Sequence, residues 1–411
     1  MWSSELEQHG GRWPIRKSPV LDWLVNDTRG ERYIDNILVQ LCERLSEAGV
    51  PVDRATIHIR THHPQWLGAR IMWENGLTEA EIKTFGYEIE QNDDYVGSPV
   101  KAINDGSSRY RQRLAEAKRD TLPAVLRDLR DQGYVDYIAW PLEHTLGQRH
   151  VMTFATKRQR GFRQGHLLAL KDILPVFSLV SEIRVKNRLA RTLLETYVGP
   201  HASEQILAGA TTRGSGVTLN AAIVICDLRD FTTISDVWPR DDVIELLNDY
   251  FDAMSEPITR HGGEILKFLG DGLLAIFPLS VPDACMNLML ALAEARDRMN
   301  VLNERISGRG LDVLRYGMGV HVGEVMYGNI GSRSRLDFTV IGPAVNVASR
   351  LEGMTKELGR SVLMSRAFIE IADCFELTEF MGSFPLKGIG EPIAVYALRD
   401  AAFRSGDVQN M

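Results

Sequence analysis

Residues 265–277 read ILKFLGDGLLAIF. Two apolar runs of strand length flank Gly270-Asp271-Gly272, the pattern of a β-hairpin with a tight turn at its tip. Lys267 interrupts the first run, four residues before Asp271. Upstream, AAIVIC (221–226) is a buried-strand run that leads into Asp227. Between the two, DDVIELLNDYFDAM (241–254) places Val243, Leu246, Leu247, Tyr250, Phe251 and Met254 on one helical face, with Asp241 or Asp242 positioned to cap it. Downstream come a helical stretch over 283–300, the alternating strand YGMGVHVGEV (316–325) and the helix start VNVASRLEGM (345–354). Strand, helix, hairpin, helix, strand predicts an α+β domain with its own core.

The chain has 411 residues, enough for two or three domains. It is 44% hydrophobic and 25% charged, with a formal net charge of −7 and no long block of one sign. That balance argues against a nucleic-acid surface or a basic membrane arm. Cys42, Cys226, Cys285 and Cys374 are scattered without paired spacing, as expected in a reducing cytoplasm. The first residues, MWSSELEQHGGRW, do not read as a signal peptide. The longest apolar stretches, such as 284–295 and 172–183, are too short or too charged to span a bilayer. A cytoplasmic protein is expected.

A carboxylate just beyond a buried strand is costly without a partner, and two facing each other repel. Asp227 and Asp271 would both be relieved by divalent cations. Oxygen-only ligands favour hard ions such as magnesium or manganese. Taken singly, each reads as a solvated, inert turn aspartate. In DFTVIGPAVNVASRL (337–351), Asn346 and Arg350 lie four apart on one helical face. They could form a surface pair, or grip a ribose oxygen and a phosphate.

Four motifs occur in order: CDLRDFT (226–232), KFLGDG (267–272), the spaced T-x-x-G-x-x-V-N-x-A-S-R of 339–350, and LKGIGEP (386–392). With them, residues 217–398 resemble the catalytic domain of the class III nucleotidyl cyclases. The resemblance implies a ferredoxin-like fold working as a homodimer, with active sites at the subunit interface. It implies that Asp227 and Asp271, with the main-chain carbonyl of Leu228, hold two Mg²⁺ or Mn²⁺ ions per site. Phe231 and Thr232 would offer backbone amides to the terminal phosphates, and Lys387 would contact the outer phosphates. Asn346 would orient the ribose, and Arg350 would stabilise charge on the α-phosphate. Lys267 and Thr339 would meet the base. The implied reaction is in-line attack of the ribose 3′-oxygen on the α-phosphorus, with pyrophosphate leaving. Lys267 only donates, which suits an adenine ring nitrogen, and Thr339 can accept from the exocyclic amine. ATP is therefore the favoured substrate. Threonine replaces the aspartate of animal adenylyl cyclases at 339. Asp230 stands where the family often has glycine, and reads as a turn residue or a third carboxylate. The rival readings are a guanylate cyclase, a diguanylate-forming enzyme suggested by GGEIL (262–266), and a catalytically inactive nucleotide-binding scaffold.

The first half reads as a helix (32–49), strands at 54–61 and 69–75, a late hairpin YIAWPLEH/HVMTFATK, and a long helix from Arg163 to about Tyr197 that Gly199-Pro200 stops. The late hairpin and the GFRQGHLLALKDI that follows resemble a GAF-type sensor, which would take a small-molecule ligand. The expected division is a tail (1–20), the sensor (21–185), a helical transducer (186–215), the cyclase domain (216–400) and a tail (401–411). Six of seven tryptophans fall in the first 140 residues, as core or as pocket lining. His58, His62 and His63 could hold a metal or haem, or simply dress a strand surface. The apolar line from Ile173 through Val176, Phe177, Val180 and Ile183, continued by Val185, Leu189, Leu193 and Tyr197, reads as core packing or as a coiled coil between two chains.

Overall fold

The computed structural model describes residues 18–61, 66–308 and 312–399. It divides into two compact units, with the division between Leu193 and Leu194.

The first unit contains α1 (Pro19–Asn26), α2 (Ile34–Glu47), β1 (Arg54–Arg60), β2 (Gly68–Glu74), β3 (Glu81–Phe85), α3 (Asp93–Val96), α4 (Pro99–Asn104), β4 (Tyr110–Arg113), α5 (Ala124–Asp131), β5 (Asp136–Glu143) and β6 (Arg149–Thr156). Its six strands form an antiparallel sheet in the order β3-β2-β1-β6-β5-β4. Trp23, Trp73 and Trp140 are buried in the core, so for these three the core reading holds. His62 and His63 lie outside the described residues; His58 sits on β1 against Thr56 Oγ1 at 3.0 Å. The expected tail ends sooner than residue 20. Ser18 accepts from the Leu21 amide and Pro19 opens α1, a start signal carried by the Ser-Pro pair itself.

Helix α6 (Gln164–Val198) follows the first sheet and crosses the division. Its apolar line splits. Ile173, Phe177 and Val180 enter the first unit's core, whereas Ile183 is 54% and Tyr197 77% exposed.

The second unit contains α7 (Pro200–Leu207), β7 (Gly216–Leu228), α8 (Phe231–Val237), α9 (Arg240–Arg260), β8 (Glu264–Leu269), β9 (Gly272–Pro278), α10 (Ala284–Gly308), β10 (Tyr316–Gly331), β11 (Leu336–Ile341), α11 (Pro343–Glu357), β12 (Val362–Ser365), α12 (Arg366–Ala372), β13 (Thr378–Phe384) and β14 (Ile393–Leu398). The sheet runs β13-β14-β12-β10-β7-β9-β8, and β11 pairs with the far half of β10. Within it, β10-β7-β9-β8 are all antiparallel and follow the β-α-β-β-α-β chain order, the ferredoxin-like arrangement.

One face buries Val224, Cys226 and Phe277 against Leu246, Tyr250 and Met254 of α9 and Leu288 and Leu292 of α10. The other buries Ile223, Leu266, Leu274 and Val340 against Ala344 and Ala348 of α11. The expected cap of α9 is displaced. Pro239 takes that position, and Asp241 and Asp242 fall inside the first turn, where they still complement the helix dipole. All four cysteines are free and buried. No helix among the described residues is long and apolar enough to cross a membrane.

Candidate active site

Alternation along β7 sends Val224 and Cys226 to the α9–α10 face and Ile223 to the α11 face, so Asp227 follows Ile223. Asp227 is the penultimate strand residue, before the buried Leu228. The hairpin tip meets it there. Leu269 pairs with Gly272 around a two-residue turn, with φ of +69° at Gly270. A Cβ on Gly272 would sit 2.7 Å from the Cys226 carbonyl oxygen and 2.9 Å from Asp227 Oδ1. Glycine at 272 is thus what lets the tip close on the Asp227 carboxylate. Burial, and then the charge of Asp271, push the Asp227 carboxyl up to about 6.

Two half-buried carboxylates that repel call for a cation. Asp227, Asp271 and the Leu228 carbonyl offer oxygen donors only. Two carboxylates with the remaining positions open suit a hard divalent ion that arrives with phosphate oxygens. On that donor chemistry the residues fit such an ion.

A third carboxylate stands beside them. Glu352 on α11 is pushed up to about 6 by burial and by Asp227, with Arg229 opposing and Asp271 adding. The reason is close packing of α11 on β10. A Cβ at Gly319 would lie 2.1 Å from the Ala348 carbonyl oxygen and 2.2 Å from the Glu352 amide, and one at Gly317 would lie 2.7 Å from Glu352 Oε1. The sequence reading missed Glu352. The available signal was the Gly317/Gly319 alternation, two positions on one strand face that only a closely seated helix requires.

Lys267 belongs to a second cluster. A bulge between Ile265 and Lys267 puts Lys267 opposite Leu274, on the α11 face, while Leu266 is buried in the same layer. From there Lys267 Nζ reaches Asp337 Oδ2 at 2.6 Å. Asp337 and Thr339 alternate on β11 and so share a face. The two expected base-reading residues are therefore brought to one place. Asp337, not anticipated from sequence, holds the lysine head.

Asn346 and Arg350 form a third group. Asn346 is exposed on α11 and Arg350 is half-buried. A Cβ at Gly388 would lie 3.8 Å from an Arg350 guanidinium nitrogen, so the turn carrying Lys387 neighbours Arg350. On an α-helix, Asn346 and Arg350 are separated by about 40°, but Arg350 and Glu352 by about 200°. Glu352 faces Asp227; within one chain the Asn346–Arg350 face points elsewhere.

Phe231 and Thr232 open α8, where the first amides of a helix have no intrahelical acceptor. Asp230 lies just before, at φ 60°, and its carboxylate pairs with Arg315 at 2.7 Å and Lys356 at 3.1 Å. It is a left-handed turn residue, a conformation open to glycine and, less often, to aspartate.

Residues 216–400 match the family described as adenylate and guanylate cyclase catalytic domain. An adenylate cyclase of Anabaena cylindrica is 34% identical over 206 residues, covering 49% of this chain and 40% of that protein. Adenylate cyclase 1 of Rhizobium meliloti is 37% identical over 178 residues, covering 41% of this chain and 26% of that protein. The chain spans less than half the length of these curated relatives. Among solved structures, the guanylyl cyclase Cya2 is 30% identical, with a TM-score of 0.40 over 44% of this chain and 93% of that one.

Proposed function

We propose, from the premise that residues 216–400 are a class III adenylate and guanylate cyclase catalytic domain, that the protein is an adenylate cyclase. It would convert ATP to 3′,5′-cyclic AMP and pyrophosphate. The observation that carries this reading is the closure of the Asp271 tip on Asp227 across Gly272.

In this reading Asp227, Asp271 and the Leu228 carbonyl hold divalent metal, two ions per site. When bound, such ions neutralise the triphosphate and favour ionisation of the ribose 3′-hydroxyl. The amides of Phe231 and Thr232 and the ammonium of Lys387 hold the outer phosphates. Asn346 fixes the ribose so that its 3′-oxygen lies in line with the α-phosphorus. Arg350 meets the charge that grows on the α-phosphate as the bond to pyrophosphate breaks. Since the Asn346–Arg350 face points away from the same chain's aspartates, the site is completed by a second copy of the chain. A two-fold dimer then carries two equivalent sites. The first unit, joined through α6, would act as a regulatory sensor.

The test is product analysis of the purified protein with ATP or GTP and Mg²⁺ or Mn²⁺. Cyclic AMP is expected as the dominant product; tight ATP binding without turnover would replace the enzyme with a scaffold. Base choice has its own prediction. Asp337→Ala frees the Lys267 head from its partner, so preference for ATP over GTP should fall by roughly tenfold, the worth of one positioned hydrogen bond. The ratio of kcat/KM for the two nucleotides measures it; an unchanged ratio would remove Asp337 from base recognition.

A further inference from the structure

The first unit holds a cavity of about 240 Å³ on the sheet face opposite α1, α2 and α6. Its floor follows from alternation in β1. Ala55 and Ile57 enter the core, while Arg54, Thr56 and His58 line the cavity. Arg70 on β2 lies across from His58, and Thr153 on β6 lies across from Thr56, their hydroxyls 2.6 Å apart. Phe85, Ile89, Val100 and Val125 supply apolar walls.

The charges do not balance. Arg54 is only 9% exposed, and the contact its guanidinium makes is to the Met72 thioether at 2.9 Å. Among the described ion pairs it has no carboxylate. Glu74, across from it in register, acts on its charge from a distance but hydrogen-bonds to Tyr134 at 2.8 Å and Lys157 at 3.3 Å instead. Arg70 reaches Glu81 at 3.2 Å through one terminal nitrogen, but its Nε is buried without a partner. Arg60 is paired with Glu90, and Asp94 lies exposed on the rim. Burial and the two arginines push His58 down to about 3, so it adds a neutral imidazole and no third charge. A buried guanidinium with no carboxylate directly paired to it is costly, and the fork of an arginine matches a planar anion.

We propose that this cavity is a binding site for a small organic anion, a carboxylate on a compact apolar body. Arg54 and Arg70 balance its charge, the Thr56–Thr153 hydroxyls and His58 orient it, and Phe85, Ile89, Val100 and Val125 enclose the rest. The proposal concerns binding by the first unit and does not depend on the chemistry assigned to the second.

The experiment uses the full chain, with tryptophan fluorescence following thermal unfolding, since Trp23, Trp73 and Trp140 are buried in this unit. Acetate, butyrate and benzoate are titrated at constant ionic strength in chloride, with benzamide as the neutral match to benzoate. At least one carboxylate should raise the midpoint saturably, by on the order of a few degrees at tenfold excess over its Kd. Benzamide should not. Arg54→Met should abolish the carboxylate effect and raise the ligand-free midpoint, because it removes the unbalanced charge; Arg70→Gln should weaken binding. The proposal is overturned if none of the three carboxylates acts, if benzamide acts as well as benzoate, or if Arg54→Met keeps the effect. A lower ligand-free midpoint in Arg54→Met would make Arg54 a structural residue and end the proposal equally.

Discussion

Asp271→Ala should lower cyclic AMP formation by roughly a thousandfold or more, because one of the two carboxylates proposed to hold metal at the reacting phosphates is gone. Asp271 is not buried in the core; it sits at the tip of a hairpin whose strands pair without its side chain. Its removal also relieves the repulsion that helps push Asp227 up to about 6. The metal-free variant should therefore unfold at the same temperature as the wild type or higher, and the loss of activity should not be a loss of fold. Asp227→Asn should behave in the same way: inactive, yet stabilised without metal, since a half-buried charge has been replaced by a neutral amide. Added Mg²⁺ or Mn²⁺ should raise the midpoint of the wild type more than that of either variant. Product analysis and thermal unfolding with and without metal check both halves. Activity within tenfold of wild type in Asp271→Ala would remove the aspartate pair from the chemistry. Metal stabilisation equal in all three proteins would move the ion elsewhere.

The second unit was more legible in sequence than the first, for a physical reason. The strand ending in Asp227 and the hairpin at 265–277 are apolar runs with sharp boundaries; burial on both faces keeps the runs of β7 and β9 unbroken, while Phe268 and Leu269 at the end of β8 are exposed. The strands that escaped notice in the first unit, β3 and β4, are sheet edges: EIKTF is exposed and carries no pattern because solvent asks for none, while YRQR is four half-buried or exposed polar and aromatic residues, too short to show one. The candidate site was legible where residues share a face at fixed sequence spacing, as Asn346 and Arg350 do on α11. It was not legible where the role depends on packing between distant elements. Glu352 is brought beside Asp227 by glycines on β10. Asp337 reaches Lys267 only because β11 folds back on β10 while a bulge turns Lys267 toward the same face. Both are ordinary surface-type residues in one dimension. The cavity of the first unit was hidden in the same way, since RATIHIR reads as a half-buried strand whether its polar face meets water or a ligand.

Arg350→Ala should cost about a hundredfold to a thousandfold in kcat, with KM for ATP changed much less, because the guanidinium acts on charge that develops only in the transition state. Arg350→Lys should recover little, since a point charge does not reproduce the forked donor geometry. The more discriminating result comes from mixing. Glu352 faces Asp227, and Arg350 lies about 200° further round the same helix. In the proposed dimer, an arginine so directed would serve the aspartates of the other chain. Equal amounts of Asp271→Ala and Arg350→Ala protein, each inactive alone, should then regain about a quarter of wild-type activity, because half of randomly formed two-fold dimers are mixed and each mixed dimer has one of its two sites intact. Size measurement and differently tagged subunits establish that mixed dimers form. Mixed dimers without recovered turnover would place all the catalytic groups within one chain, and the orientation of α11 would have to change to bring them there.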